Sequence, residues 1–170
     1  MRVYVETYGC QMNECDSASI RAILKAAGHA RADRPEGADA VIVNTCAVRG
    51  RAETRVLGRL RHLRGLMPPS AVLGVVGCVA QRMGGALVKE VRGLGFVLGT
   101  ERYHELPEVL ERAAAGRTTV DTSLGGASVP AFAAEPRTEA RLCDFVSVMR
   151  GCDNFCSYCV VPYVRGRERS

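Results

Sequence analysis

The sequence predicts an α/β fold: a doubly wound, mostly parallel sheet over residues 1–120, followed by the start of a second α/β unit. Three observations carry this expectation. Strand and helix signals alternate through the first 120 residues. The strand segments are uninterrupted and rich in Val, Ile and Leu, as in sheets covered on both faces. The alternation then stops at residues 121–140, where Gly125-Gly126, Pro130 and Pro136 mark a connection.

Residues 3–8 are a short β-prone run ending at Gly9-Cys10. From Asn13, a residue suited to cap a helix, Ile20, Ile23, Leu24 and Ala27 recur at helical spacing, and Gly28 stands where a C-terminal cap belongs. Residues 40–44 (AVIVN) form a continuous apolar strand ending near Cys46. A second helix carries Val56, Leu57, Leu60 and Leu63 on one face, with Pro68-Pro69 beyond its end. Residues 72–76 (VLGVV) make the third strand, which ends at Gly77-Cys78. A third helix is expected over about 80–91, and 95–98 (GFVL) is the fourth strand. Pro107 and Gly116 bracket a fourth helix, with Val109, Leu110 and Ala113 inward, and 118–120 adds a fifth strand.

Residues 121–140 read as a linker. Residues 142–149 alternate in the manner of a new strand, opening a unit over 141–170. About twenty residues after that strand cannot complete a domain, so this second unit is expected to be truncated.

The chain has 170 residues and a net charge of +5, supplied by Arg with Lys only at Lys25 and Lys89. That excess suits a polyanion such as RNA, or a genome that favours Arg codons. The N-terminus lacks the apolar run of a signal peptide, and no segment approaches a membrane span, so a cytoplasmic protein is expected. In that compartment eight cysteines point to metal ligation or catalysis before disulfides.

Cys10, Cys46 and Cys78 share a structural address. Each lies at or just past the C-terminal end of a predicted strand, the edge where open parallel sheets bind ligands. Helix N-termini following them would favour thiolates and an anionic cluster. Gly9 and Gly77 are expected to let the backbone turn closely around such a ligand. One such cysteine alone reads as a small buried hydrophobe; three at equivalent positions favour ligation. Cys15 and Cys143 have no partner at ligand spacing and read as structural.

Cys152, Cys156 and Cys159 form a C-x3-C-x2-C loop. Close-set thiolates suit a cubane iron–sulfur cluster, and three ligands for four irons leave one iron open for chemistry. Zinc is the competing metal, but a structural zinc site wants four ligands. A non-catalytic cluster- or zinc-binding scaffold is therefore the alternative of a different class.

The C-x3-C-x2-C loop, with Tyr158 before its last cysteine, resembles that of radical S-adenosylmethionine enzymes. Val148-Met149-Arg150-Gly151-Cys152 and Val160-Val161-Pro162-Tyr163-Val164-Arg165-Gly166-Arg167-Glu168 resemble the methylthiotransferase branch. So do Thr7-Tyr8-Gly9-Cys10-Gln11-Met12-Asn13, Asn44-Thr45-Cys46 and Gly77-Cys78-Val79-Ala80-Gln81. Gln11-Met12 resembles the subgroup acting on isopentenylated adenosine 37 of tRNA; a sister methylthiotransferase acting on threonylcarbamoyl-adenosine in tRNA or on a ribosomal-protein aspartate is the alternative enzyme reading.

The resemblance implies an N-terminal methylthiotransferase domain followed by the start of a radical-SAM α/β barrel. It implies two 4Fe–4S clusters. One, on Cys152, Cys156 and Cys159, would bind S-adenosylmethionine, with Tyr158 near the adenine. Cleavage would yield a 5′-deoxyadenosyl radical that abstracts hydrogen from C2 of the modified adenine. The other, on Cys10, Cys46 and Cys78, would supply sulfur. The implied partners are tRNA and an electron donor of the flavodoxin or ferredoxin type.

Six arginines lie between Arg49 and Arg64, and Arg51, Arg55 and Arg59 recur every four residues on one helix face. That face begins just after Cys46, where it could meet RNA phosphates. A solvated face is the plainer reading.

Overall fold

A computed structural model of the chain describes residues 1–48, 52–125, 145 and 147–170. Its centre is a six-stranded sheet in the order β2-β1-β3-β4-β5-β6, with every described pairing parallel. The strands are β1 (Arg2–Tyr8), β2 (Ala30–Arg31), β3 (Ala40–Thr45), β4 (Val72–Gly77), β5 (Leu94–Leu98) and β6 (Thr119–Asp121). The helices are α1 (Gln11–Ala26), α2 (Ala52–Leu66), α3 (Cys78–Met83), α4 (Ala86–Glu90), α5 (Leu106–Ala114) and α6 (Val161–Arg165). β3 and β4 are buried at every position. Their Val, Ile and Leu side chains face helices on both sides, which explains the uninterrupted apolar runs.

The sheet divides two cores. On one face Val41, Val43, Leu73, Val75 and Val97 pack with Val56, Leu60 and Leu63 of α2 and Leu87 of α4. On the other Ile42, Val76, Phe96 and Leu98 pack with Ile20 and Leu24 of α1 and Leu106, Val109 and Leu110 of α5. Alternate residues of each strand thus feed opposite cores, as the twofold period of a strand demands. The expected doubly wound sheet is the observed one.

The differences are local. β2 is a two-residue edge strand, too short to leave a sequence signal, and it displaces the first winding outward. The strand order consequently reverses between β1 and β3. The single helix expected over about 80–91 is two, α3 and α4, because Gly84 takes a φ of +50° and ends the first. α1 begins earlier than Asn13: Cys10 is its extended N-cap, and Asn13 occupies its first turn, where it is fully buried.

Residues 126–144 and Val146 lie outside the described residues, including Cys143, most of the expected linker and half of the expected strand at 142–149. Phe145 and Ser147–Met149 are not in a strand. An isolated antiparallel bridge instead joins Arg150 to Arg169, closing the cysteine loop between them. A strand exists only beside a hydrogen-bonded neighbour, and none runs alongside 147–149 among the described residues. No described helix is long and apolar enough to cross a membrane.

Candidate metal centre

The register brings the N-terminal cysteines to one edge. Tyr8, Thr45 and Gly77 are neighbours across the last rung of β1, β3 and β4. Cys46 and Cys78 each follow that rung directly, and Cys10 follows two residues after Tyr8. Adjacent strands are about 4.8 Å apart, so the three loops leave the sheet side by side. Cys10 and Cys46 flank the reversal of strand order, the place where open α/β sheets hold ligands.

A buried polar network fixes these loops to one another. Asn13 Oδ1 accepts from the Cys10 backbone N–H at 3.3 Å, and Asn13 Nδ2 donates to Asn44 Oδ1 and the Thr45 carbonyl, both at 3.0 Å. Asn44 Nδ2 donates to the Asn13 carbonyl at 2.9 Å and to Ser17 Oγ at 3.0 Å. Thr45 Oγ1 donates to the Val76 carbonyl at 2.6 Å. Asn13, Asn44 and Thr45 are fully buried. The expectation for Gly9 and Gly77 changes accordingly. A Cβ at Gly9 would lie 2.3 Å from Asn13 Oδ1, and one at Gly77 would lie 2.5 Å from Asn44 Oδ1 and the Thr45 carbonyl. The space these glycines leave is filled by the network beneath the cysteines. Gly77 additionally has a φ of +92°, which disfavours any side chain.

The thiols differ in setting. Cys10 stands at the N-cap of α1, and its thiol donates to Asn13 Oδ1 at 3.4 Å. Cys46 is buried, and the Val48 N–H donates to its Sγ at 3.5 Å. Cys78 is buried, which pushes its thiol up, while the charge of the nearby Arg165 guanidinium works the other way. Arg165 reaches it from α6, which packs against α3.

Beside Cys78 lies a buried ionic group that sequence reasoning missed. Asp16, on α1 and fully buried, meets Arg150, lies 2.7 Å from Arg165 Nη1 and accepts from the Tyr103 hydroxyl at 3.3 Å. Burial, followed by the Asp16 charge, holds the Tyr103 phenol well above its ordinary range. Both terminal nitrogens of Arg165 are buried, Nη1 against the Asp16 carboxylate.

Cys152, Cys156 and Cys159 lie in a loop closed at both ends. Arg150 and Arg169 exchange backbone hydrogen bonds at 2.8 Å, and Cys152 N–H donates to the Gly166 carbonyl at 3.2 Å. Phe155 stacks edge-on with Tyr163 at 5.9 Å, and Arg167 covers the Phe155 ring at 4.9 Å. Cys156 is exposed, and Tyr158 is 90% exposed. Among the described residues no three His, Cys, Asp or Glu side chains close up to metal-binding distance. Each triad is thus brought to one region without being drawn together. The donor chemistry, three thiols and no imidazole, fits iron–sulfur ligation.

Of the arginine face on α2, Arg51 lies outside the described residues. Arg55 is exposed. Arg59 is engaged by Glu6 of β1 through two hydrogen bonds of 2.7 and 2.8 Å, which raises its pKa further. Arg61 pairs with Glu90, and Arg64 donates to the Ala71 carbonyl.

A family model described as uncharacterized protein family UPF0004 matches residues 2–99. A protein of Geobacter sulfurreducens named tRNA-2-methylthio-N(6)-dimethylallyladenosine synthase is 46% identical over 99% of this chain and 38% of its own length. Proteins of the same name from Geotalea uraniireducens and Chloroherpeton thalassium are 44% and 42% identical over 99% of this chain, covering 39% and 38% of their own lengths. The chain spans about two-fifths of the length of these curated relatives.

Proposed function

Because the chain belongs to uncharacterized protein family UPF0004, with residues 2–99 as its domain, we propose that it is the N-terminal part of a tRNA methylthiotransferase. The reaction is methylthiolation of C2 of N6-isopentenyladenosine at position 37 of tRNA. The observation that carries this reading is the pairing of two features in one chain: relatives at 42–46% identity bearing that enzyme name, and two cysteine triads placed as described. Cys10, Cys46 and Cys78 would hold one 4Fe–4S cluster. Cys152, Cys156 and Cys159 would hold the other, with S-adenosylmethionine beside Tyr158 at the start of a radical-SAM barrel. Bound there, these groups supply one-electron activation of a C–H bond and a source of sulfur.

The chain's own residues provide placement. The Asn13–Asn44–Thr45 network fixes the three N-terminal loops, and the Arg150–Arg169 bridge closes the second cysteine loop. The loops of Cys10, Cys46 and Cys78 leave the sheet at the C-terminal edge of β1, β3 and β4, the edge where open α/β sheets hold ligands. The protein is proposed to act in the cytoplasm on tRNA, drawing electrons from a flavodoxin- or ferredoxin-type donor. Arg55, exposed beside the Cys46 edge, is proposed to face RNA phosphate.

Two measurements test this. Deleting the gene should leave tRNA with N6-isopentenyladenosine lacking the methylthio group by nucleoside mass analysis; an unchanged methylthiolated pool would overturn the reading. Anaerobic reconstitution should load roughly eight irons per chain. Replacing Cys10, Cys46 and Cys78 together by Ala should halve that load, and an unaltered iron count would remove the N-terminal site.

A further inference from the structure

We infer that Asp16 is a positioning residue that sets the spacing between the two cysteine sites, by seating the second cysteine loop on the helix that starts at Cys10. The inference rests on the reading of both triads as sites of one reaction.

Asp16 lies on α1, whose N-cap is Cys10, and its carboxylate meets guanidinium groups from both sides of the second cysteine loop. Arg150 stands before Cys152, and Arg165 ends α6, beyond Cys159. The backbone bridge between Arg150 and Arg169 closes the chain between them into one loop, so anchoring both flanks anchors the loop. α6 in turn packs on α3, whose first residue is Cys78. The segment that carries the second triad is therefore fixed to the elements that present the first and third cysteines of the N-terminal triad.

A second anchor stands beside Asp16. The Tyr103 hydroxyl donates to the Asp16 carboxylate at 3.3 Å, and Thr100 Oγ1 donates to the Val164 carbonyl at 2.7 Å. Both residues follow β5 and are 1% exposed, so α1 and the end of β5 close on α6 together. This joint is polar where the two cores of the sheet are apolar: the side chains of Asp16, Arg150 and Arg165 are at most 10% exposed. A buried ion pair adds little net stability over packed apolar side chains, and its best-attested use is to fix register. Apolar contacts tolerate repacking; a carboxylate shared between two guanidinium groups is satisfied in few geometries. Fixed spacing matters to two sites that serve one substrate, because misplacing reacting groups by about 1 Å costs on the order of a hundredfold in rate.

The test has two arms. In the metal-free chain, Asp16→Asn keeps the side-chain shape and removes the charge. Amide hydrogen exchange over residues 160–166 should accelerate at least about tenfold, while β3 keeps its protection. Arg165→Gln removes the other half of the pair and should accelerate the same amides. The two changes combined should exceed Asp16→Asn alone by little, since the pair is already broken. Unchanged exchange at 160–166, or fully additive effects, would overturn the seating role. Equal loss of protection in β3 in both single variants would make the pair a part of the core and overturn it too.

In the second arm, the chain is loaded with iron and sulfide, reduced, and read by electron paramagnetic resonance. Asp16→Asn should keep the iron count, because Asp16 is not a proposed ligand. It should weaken the magnetic interaction between the two clusters, moving the signal toward the sum of two chains that each hold one cluster. An unchanged interaction would overturn the spacing role. Iron at only one triad of the unaltered chain would overturn the two-cluster reading and the spacing role with it. The exchange arm, which needs no metal, then decides the seating of the loop by itself.

Discussion

Asn44 shows how much of the site depends on single polar side chains that touch no sulfur. It sits at 0% exposure near the end of β3, donating to Asn13 and Ser17 and accepting from Asn13. Replacing it by Ala removes three buried hydrogen bonds, leaving Asn13 Nδ2 only the Thr45 carbonyl and Ser17 Oγ only its bond with Thr7. The expected cost is about 2–3 kcal/mol, from the lost bonds and the unsatisfied partners together. Cys15→Ala is the control: the thiol is buried, contacts the Phe145 carbonyl at 3.5 Å and is not proposed as a ligand. That change should cost at most about 1–2 kcal/mol and leave the iron content intact. Urea melts of both variants with iron assays make the comparison; a Cys15 variant that loses a cluster would break the assignment of the triads. The cysteines themselves were legible in the sequence because thiols at strand ends are conspicuous. Asn13 was legible only as a cap and Asp16 not at all, since polar residues near a helix start read locally as solvent-facing. Their burial comes from partners thirty or more residues away, Asn44 and Thr45 for Asn13 and Tyr103, Arg150 and Arg165 for Asp16.

The helix face of α2 illustrates the same limit at the level of an element. Periodicity placed Arg51, Arg55 and Arg59 on one stripe, and the structure does form a helix from Ala52 to Leu66. What lies beneath a stripe is set by the neighbouring strand, and here Glu6 of β1 engages Arg59 in a bidentate pair. Bidentate geometry and partial burial make this pair stronger than an ordinary surface salt bridge. Arg59→Gln should therefore destabilise the chain by about 1 kcal/mol, whereas Arg55→Gln, at an exposed position, should stay within about 0.5 kcal/mol. The two variants separate again in RNA binding, measured by filter retention with the full-length protein over a salt series. Arg55→Gln should flatten the salt slope by roughly one unit for a lost phosphate contact. An unchanged slope would leave Arg55 an ordinary solvated residue. The split of the third helix at Gly84 and the two-residue strand β2 were also beyond local reading. The first needed a backbone angle, and the second needed a neighbour to define it.

For the whole molecule, alternation of strand and helix signals was sufficient to identify a parallel sheet with two cores, and with it the edge that gathers Cys10, Cys46 and Cys78. The order of strands was not, because nothing local tells a chain which edge to extend. The same is true of how the last described segment meets the sheet. Glu101, at 4% exposure just beyond β5, is the second fixing point of that meeting: it accepts from the Gly125 N–H at 2.7 Å and pairs with Arg169. It thus holds both the chain leaving β6 and the strand-like end of the cysteine loop, whose Arg150–Arg169 bridge lies beside Asp16. Glu101→Gln keeps the shape and one acceptor but removes the charge that engages Arg169. Because Gly125 can still donate to the amide oxygen, the loss should fall mainly on the loop. Arg150 and Arg165 are enclosed by the docked segment, so trypsin should reach them slowly in the unaltered chain. In the Glu101→Gln variant, cleavage after Arg165 and Arg150 should rise several-fold. Cleavage within α2 at Arg55 should stay unchanged, since the two cores are untouched. Cleavage that rises equally at all three sites would mean global destabilisation. Cleavage that does not rise at Arg165 would show that Asp16 and Thr100 suffice to hold the segment without Glu101.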